Sequence, residues 1–144
     1  MQSVGAALES EIVVMVDDDE DLRMIIRDVL EEAGFEVLEC ENLSEAFDVL
    51  QGIVPDIVLL DRDLPDGNGL EVARWMRGRC AYDGARIIGL SGRNSPSDVE
   101  AARAAGCDAS VAKPCTAETL VAEIRATSSP LRARLVPSRV GASA

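Results

Sequence analysis

The sequence predicts an α/β fold, a single parallel sheet with helices packed on both of its faces. Two observations carry this expectation. Five short apolar runs alternate with five stretches of helical periodicity, at spacings too short for separate layers of strands and helices. The run Ile57-Val58-Leu59-Leu60 shows no polar alternation, as expected of a strand buried on both faces. Right-handed crossovers between parallel strands then leave few topologies.

The elements follow in order. Residues 1–10 read as a loose lead-in. Residues 12–16 form the first strand and end in the acidic run Asp17-Asp18-Asp19-Glu20-Asp21. Leu22, Ile25, Ile26, Val29 and Leu30 then repeat with the spacing of a helix that buries one face. The acids before them suit the positive end of the helix dipole, and Gly34 suits its stop. Residues 35–40 read as the second strand, and Ser44 is placed to cap a short helix that ends near Gly52. After the central strand 57–60, Asp61 opens a loop forced by Pro65, Gly67 and Gly69. A helix over 70–77 presents Leu70, Val72, Ala73 and Met76, with Trp75 on its edge. Residues 79–85 read as a polar connection, 86–90 as the fourth strand, and Ser95-Pro96-Ser97 as the entry to an Ala-rich helix that stops at Gly106. Residues 109–112 make the fifth strand, ending in Lys113-Pro114, and Thr116 starts a last helix with Leu120, Val121 and Ile124. Residues 127–144 read as a linker or tail, whose Arg132, Arg134 and Arg139 contrast with the acidic body.

Composition narrows the chemistry. A chain of 144 residues suits one domain with a real core. Hydrophobic residues make up 47% of it, and a mean hydropathy of +0.08 fits a soluble globular protein. No apolar run approaches the roughly 18 residues of a membrane span, and the N-terminus lacks the pattern of a signal peptide. Cys40, Cys80, Cys107 and Cys115 show no Cys-x-x-Cys spacing, so reduced thiols and a cytoplasmic location are expected. A net charge of −12 opposes direct nucleic-acid binding, which needs a basic surface. With no histidine in the chain, histidine acid–base chemistry is excluded. Lys113 is the only lysine among 14 basic residues. A compact ammonium on a flexible stem suits a tight phosphate site better than a planar guanidinium.

In a parallel sheet, the C-terminal strand ends share one edge, where ligands bind. That edge collects Asp17 and Asp18 after the first strand, Asp61 after the third, Ser91 after the fourth and Lys113 after the fifth. Helix caps or solvated turns account for each of these singly. Together, three close carboxylates repel one another unless a cation sits between them. Oxygen ligands of this kind suit Mg²⁺, which uses one or two carboxylates plus phosphate oxygens. A hydroxyl and an ammonium on the far side would meet the remaining oxygens of a phosphoryl group. Asp61 is then positioned as a carboxylate nucleophile of the aspartyl-phosphate type.

The set Val16-Asp17-Asp18-Asp19, Leu60-Asp61-Arg62-Asp63-Leu64-Pro65-Asp66-Gly67-Asn68-Gly69, Leu90-Ser91-Gly92 and Lys113-Pro114 resembles the receiver domain of bacterial two-component response regulators. The resemblance runs over about residues 11–126 and implies a flavodoxin-like (βα)5 sandwich with strand order 2-1-3-4-5. It implies that Asp61 accepts a phosphoryl group from a histidine kinase or histidine phosphotransfer protein. By the same resemblance Asp17, Asp18, Asp61 and the Asp63 backbone carbonyl hold Mg²⁺, with Mn²⁺ as a substitute. Ser91 and Lys113 become the switch pair that meets the phosphoryl group, and Lys113-Pro114 is expected to be cis. The output would be contact with a downstream protein, and homodimerisation through the fourth helix, fifth strand and fifth helix is open to it. A stand-alone regulator is favoured over a fragment of a hybrid kinase. No catalytic turnover is implied beyond self-phosphorylation from a donor and autodephosphorylation.

Some positions depart from the family pattern. Ser110 stands where receivers usually carry an aromatic residue, which calls the familiar inward rotation of that side chain into question. Cys115 replaces a frequent Phe, while Asp63 and Arg93 flank the site as candidate modulators of water access. Two other readings stay open on the residues alone. Asp61-x-Asp63 is similar to the haloacid-dehalogenase phosphohydrolases, although Pro65 stands where they tend to carry Thr or Val. A pseudo-receiver that docks partners without phosphorylation is the other.

Overall fold

The computed structural model describes residues 10–127. The sequence expectations for the lead-in before residue 10 and for the Arg-bearing tail after 127 lie outside the described residues. The elements are β1 (Ile12–Val16), α1 (Glu20–Glu32), β2 (Glu36–Cys40), α2 (Leu43–Gly52), β3 (Ile57–Asp61), β4 (Asp63–Leu64), β5 (Gly67–Asn68), α3 (Leu70–Arg77), β6 (Arg86–Ser91), α4 (Pro96–Ala105), β7 (Ala109–Ala112) and α5 (Ala117–Thr127). The main sheet has five parallel strands in the order β2-β1-β3-β6-β7, with β3 at its centre. Counting only these strands, the order is the 2-1-3-4-5 of the flavodoxin-like fold.

Alternation along the strands divides the core in two. Val14, Val16, Val58 and Leu60 face one layer, where they meet Leu50, Val72, Met76 and Ala102 of α2, α3 and α4. Val13, Met15, Ile57 and Leu59 face the other, against Ile26 and Leu30 of α1 and Leu120, Val121 and Ile124 of α5. All five residues of β3 are buried, so the unbroken apolar run is explained by helices on both of its faces.

Three local expectations are corrected. The cap of α2 is Asn42 rather than Ser44: its extended backbone lets its side chain accept the Glu45 N–H at 2.8 Å. The stretch 79–85 is more than a polar connection. It contains a 3-10 turn, Cys80–Tyr82, and Tyr82 is buried, its hydroxyl donating to the Leu50 carbonyl at 2.6 Å. Tyr82 also packs on Trp75, which meets Phe47 edge-on at 5.4 Å between ring centroids. The loop after Asp61 is a small antiparallel hairpin, β4 with β5.

That hairpin is tied down at both ends. Both carboxylate oxygens of Asp66 accept backbone N–H groups at the start of α2, from Leu43 at 2.8 Å and Ser44 at 3.1 Å. Gly69 donates its N–H to the Arg62 carbonyl at 2.8 Å. A Cβ at Gly69 would lie 1.9 Å from the Asp61 carbonyl oxygen, so only glycine lets the chain return this close to the strand end. Its φ of −58° is ordinary, and the constraint is contact rather than backbone strain. Gly69→Ala is therefore expected to lose about 2–4 kcal/mol in urea unfolding, as an overpacked site must move backbone to relieve the clash. Gly84→Ala, with nothing within 4 Å of its added Cβ, is expected to stay within about 0.5 kcal/mol of the parent.

Candidate functional site

The C-terminal edge of the sheet brings Asp17, Asp18, Asp61, Ser91 and Lys113 together, as the topology requires. Asp17 is fully buried and Asp61 is 3% exposed. The two buried carboxylates are held in the same way. Asp17 Oδ1 accepts the Asp19 N–H at 2.9 Å, and Asp61 Oδ1 accepts the Asp63 N–H at 3.1 Å. Each is an Asx turn, which spends one oxygen on the backbone two residues on. Both Oδ2 atoms then face the ammonium of Lys113, at 2.8 Å for Asp17 and 3.4 Å for Asp61. The Asp17 contact has the distance of an ion pair without the alignment of a hydrogen bond, leaving Asp17 Oδ2 a buried acceptor with no hydrogen-bond donor.

Asp18 stands exposed at the mouth, and one carboxylate oxygen from each of Asp17, Asp18 and Asp61 lies within 4.8 Å of the others. This donor set fits a hard divalent cation: all-oxygen ligands, one buried oxygen met only by an ammonium, and a solvent-facing side that lets the ion keep water. Charge balance reaches the individual groups. Burial, and next the charge of Asp17, push the Asp61 carboxyl up to about 6, against the lowering pull of the Asp63 N–H and Lys113. For Lys113, burial pulls the pKa down, but Asp17 and Asp61 outweigh it and hold the ammonium above the usual lysine value.

Ser91 closes β6, where its neighbour Leu90 is in register with Asp61. Its carbonyl accepts the Lys113 N–H at 2.8 Å, and its hydroxyl oxygen accepts the Arg93 N–H at 2.9 Å. The Lys113-Pro114 bond is cis. Asp63 and Arg93, which sequence reasoning took as two separate flanking residues, form one ion pair at the mouth, both largely exposed. Ser110 is exposed on β7 and lines a cavity of about 20 Å³ with Arg62, Ser91, Asp98 and Val99. Arg62 is a residue that sequence reasoning passed over. It follows Asp61 directly and reaches the first turn of α4, donating Nη1 to the Asp98 carbonyl at 3.0 Å, with the Asp98 carboxylate at 3.6 Å. Arg23 was missed as well: it donates Nη1 to the Asp17 carbonyl at 2.6 Å and Nε to Glu39 at 2.9 Å. Neither contact leaves a signal in residue spacing. Burial pushes the thiols of Cys40 and Cys107 up to about 11, which removes both as nucleophiles near neutral pH.

A family model described as the response regulator receiver domain matches residues 13–125. The polar-differentiation response regulator DivK of Brucella anthropi is 31% identical over 113 residues, covering 78% of this chain and 92% of DivK. The chemotaxis response regulator CheY4 of Vibrio cholerae superposes with a TM-score of 0.78 at 26% identity, over 83% of this chain and 99% of CheY4. The BeF3-activated N-terminal receiver domain of Klebsiella pneumoniae RstA gives a TM-score of 0.72 at 25% identity, over 81% and 97% of the two chains.

The raised Asp61 pKa has a stability consequence. Its folded value of about 6 exceeds the ordinary 3.8, so folding stability is lost as pH rises from near 4 through 6. In EDTA at pH 7.5, Asp61→Asn is expected to be more stable than the parent by about 1–3 kcal/mol in urea unfolding. The difference should shrink toward pH 4 and narrow when Mg²⁺ is added, because a cation held between the carboxylates would stabilise the parent. Equal stability of the two proteins at pH 7.5 would contradict this account of the buried carboxylate.

Proposed function

Because this chain belongs to the response regulator receiver domain family, we propose that it is a phosphorelay switch whose phosphoacceptor is Asp61. The observation that carries the reading is the geometry of Lys113, whose ammonium lies between the free oxygens of Asp17 and Asp61 at the sheet edge. Receiver domains are signalling switches of two-component systems and in general not enzymes. The haloacid-dehalogenase reading gives way on family grounds.

The proposed transfer is an in-line displacement. The Asp61 carboxylate oxygen attacks the phosphorus of a partner's phosphohistidine, a P–O bond forms, and the P–N bond breaks with its electron pair returning to the imidazole. Asp17, Asp18, Asp61 and the Asp63 carbonyl would hold Mg²⁺, or Mn²⁺ in its place. Bound there, the cation would neutralise charge on the phosphoryl oxygens. Lys113 exchanges its ion pair with Asp61 for a phosphoryl oxygen, and the Ser91 hydroxyl turns toward another. Movement of Ser91 draws on the Arg93 N–H that its oxygen now accepts, so the segment entering α4 follows. The phosphorylated state then biases contacts with a downstream protein, with self-association through α4, β7 and α5 as one form of output.

We further propose a receiver body over residues 11–126, flanked by a lead-in and a tail, working in the cytoplasm. A stand-alone regulator is part of the same proposal. Among the described residues, no helix is long and apolar enough to cross a membrane.

Incubation with Mg²⁺ and acetyl phosphate, read by intact mass, tests the central reading. One phosphoryl group is expected on the parent and none on Asp61→Asn. No label on either protein would favour a docking module that works without phosphorylation. The Asp63–Arg93 ion pair stands beside the acceptor, because the Asp63 N–H is bonded to Asp61 itself. Opening it is expected to admit water and shorten the acyl-phosphate lifetime, more for Arg93→Ala than for Asp63→Asn, whose amide oxygen can still accept. Unchanged lifetimes in both variants would sink the modulator role.

A further inference from the structure

We propose that Arg23 is a positioning residue for the cation site, acting through the peptide unit that joins Asp17 to Asp18. The inference rests on reading Asp17, Asp18 and Asp61 as that site, and it assigns a residue that touches neither cation nor phosphoryl group. Arg23 lies in the first turn of α1, and its side chain is only 11% exposed. Its Nη1 donates to the Asp17 carbonyl oxygen at 2.6 Å, while its Nε donates to Glu39 Oε1 at 2.9 Å. The other carboxylate oxygen of Glu39 accepts from Arg27 Nη1 at 2.7 Å, and Arg27 is itself bonded to Glu31 at 3.0 Å. The guanidinium is thus anchored on β2 and α1 and braced against the end of β1.

The Asp17 carbonyl and the Asp18 N–H belong to one planar peptide unit, so holding the oxygen fixes the orientation of the whole plane. The two acids depend on that plane to different degrees. The Asp17 carboxylate is independently fixed by burial, by the Asp19 N–H and by Lys113. Asp18 is exposed, and the direction in which its side chain leaves the backbone follows from the peptide before it. A fork that meets two acceptors at once is what arginine offers and lysine does not. Arg23 therefore sets how far Asp18 is preorganised toward Asp17 and Asp61.

The test measures cation affinity directly on the full chain, by calorimetric titration with Mg²⁺ and by the electron paramagnetic resonance signal of free Mn²⁺. Arg23→Ala is expected to weaken both cations about tenfold, the lower end of what loss of an outer supporting contact costs a metal site. Arg23→Lys, which can reach the carbonyl but not Glu39 as well, should fall between Arg23→Ala and the parent. Glu39→Gln, which keeps a neutral acceptor, should weaken binding less than Arg23→Ala does. At saturating Mg²⁺, labelling by acetyl phosphate should return to near the parental rate in all three. A merely structural role would lower the melting temperature and leave both affinities unchanged, which would overturn the proposal. If Arg23→Ala fails to fold, parental affinities in both Arg23→Lys and Glu39→Gln overturn it equally. Asp18→Asn serves as the control, since undiminished Mg²⁺ binding there would overturn the cation site itself rather than the role of Arg23.

Discussion

The structure turns on one half-buried ammonium. Two carboxylates, Asp17 and Asp61, are withdrawn from water at the end of adjacent strands, an arrangement of like charges that costs free energy if nothing opposes it. Lys113 opposes it from the end of β7, two strands away from β3 in the sheet. Asp61 still feels the conflict, with its carboxyl pushed up to about 6. A buried charge cluster of this kind is a poor source of stability, because desolvation consumes most of the attraction. What the cluster fixes is geometry: the Lys113 ammonium is held 2.8 Å from Asp17 and 3.4 Å from Asp61 at the sheet edge.

Everything around the cluster serves its geometry. The buried strand β3 delivers Asp61 to the edge, and the hairpin that follows is clamped between Asp66 on the start of α2 and Gly69 against the Asp61 carbonyl. The matching Asx turns at Asp17 and Asp61 each occupy one carboxylate oxygen and leave the second facing Lys113. At the opposite end of the sheet, the buried Arg86 pairs with Glu11 at 2.8 Å, and Asp56 accepts the Ile12 N–H at 2.7 Å. The polar groups there fasten strands, whereas those at the C-terminal edge gather around Lys113.

The departures from the family pattern acquire physical content from their surroundings. With serine at position 110, a small cavity remains between α4 and the sheet, with room for about one water molecule. The buried Arg62 Nε beside it has no hydrogen-bond partner, while the rest of the guanidinium holds the first turn of α4. A direct tie thus runs from the residue after Asp61 to α4. Asp63 and Arg93 form one ion pair, and Arg93 lines the same cavity.

The sequence by itself determined the alternation of strands and helices, the central buried strand and the set of polar residues gathered at the strand ends. These follow from periodicity and from where apolar runs stop, which are local properties. Asp17, Asp18, Asp61, Ser91 and Lys113 could be gathered before any coordinates because a parallel sheet aligns its strand ends by topology alone. Only the tertiary structure decided which side chains pair. The Asn42 cap, the buried Tyr82, the joining of Asp63 to Arg93, and the reach of Arg62 to Asp98 and of Arg23 to Asp17 depend on backbone direction and on neighbours up to 36 residues away. Long polar side chains carry little trace of their partners in sequence spacing, since the fold chooses the partner. The apolar residues are legible because burial is one requirement shared by all of them, whereas each polar contact is a separate geometric event.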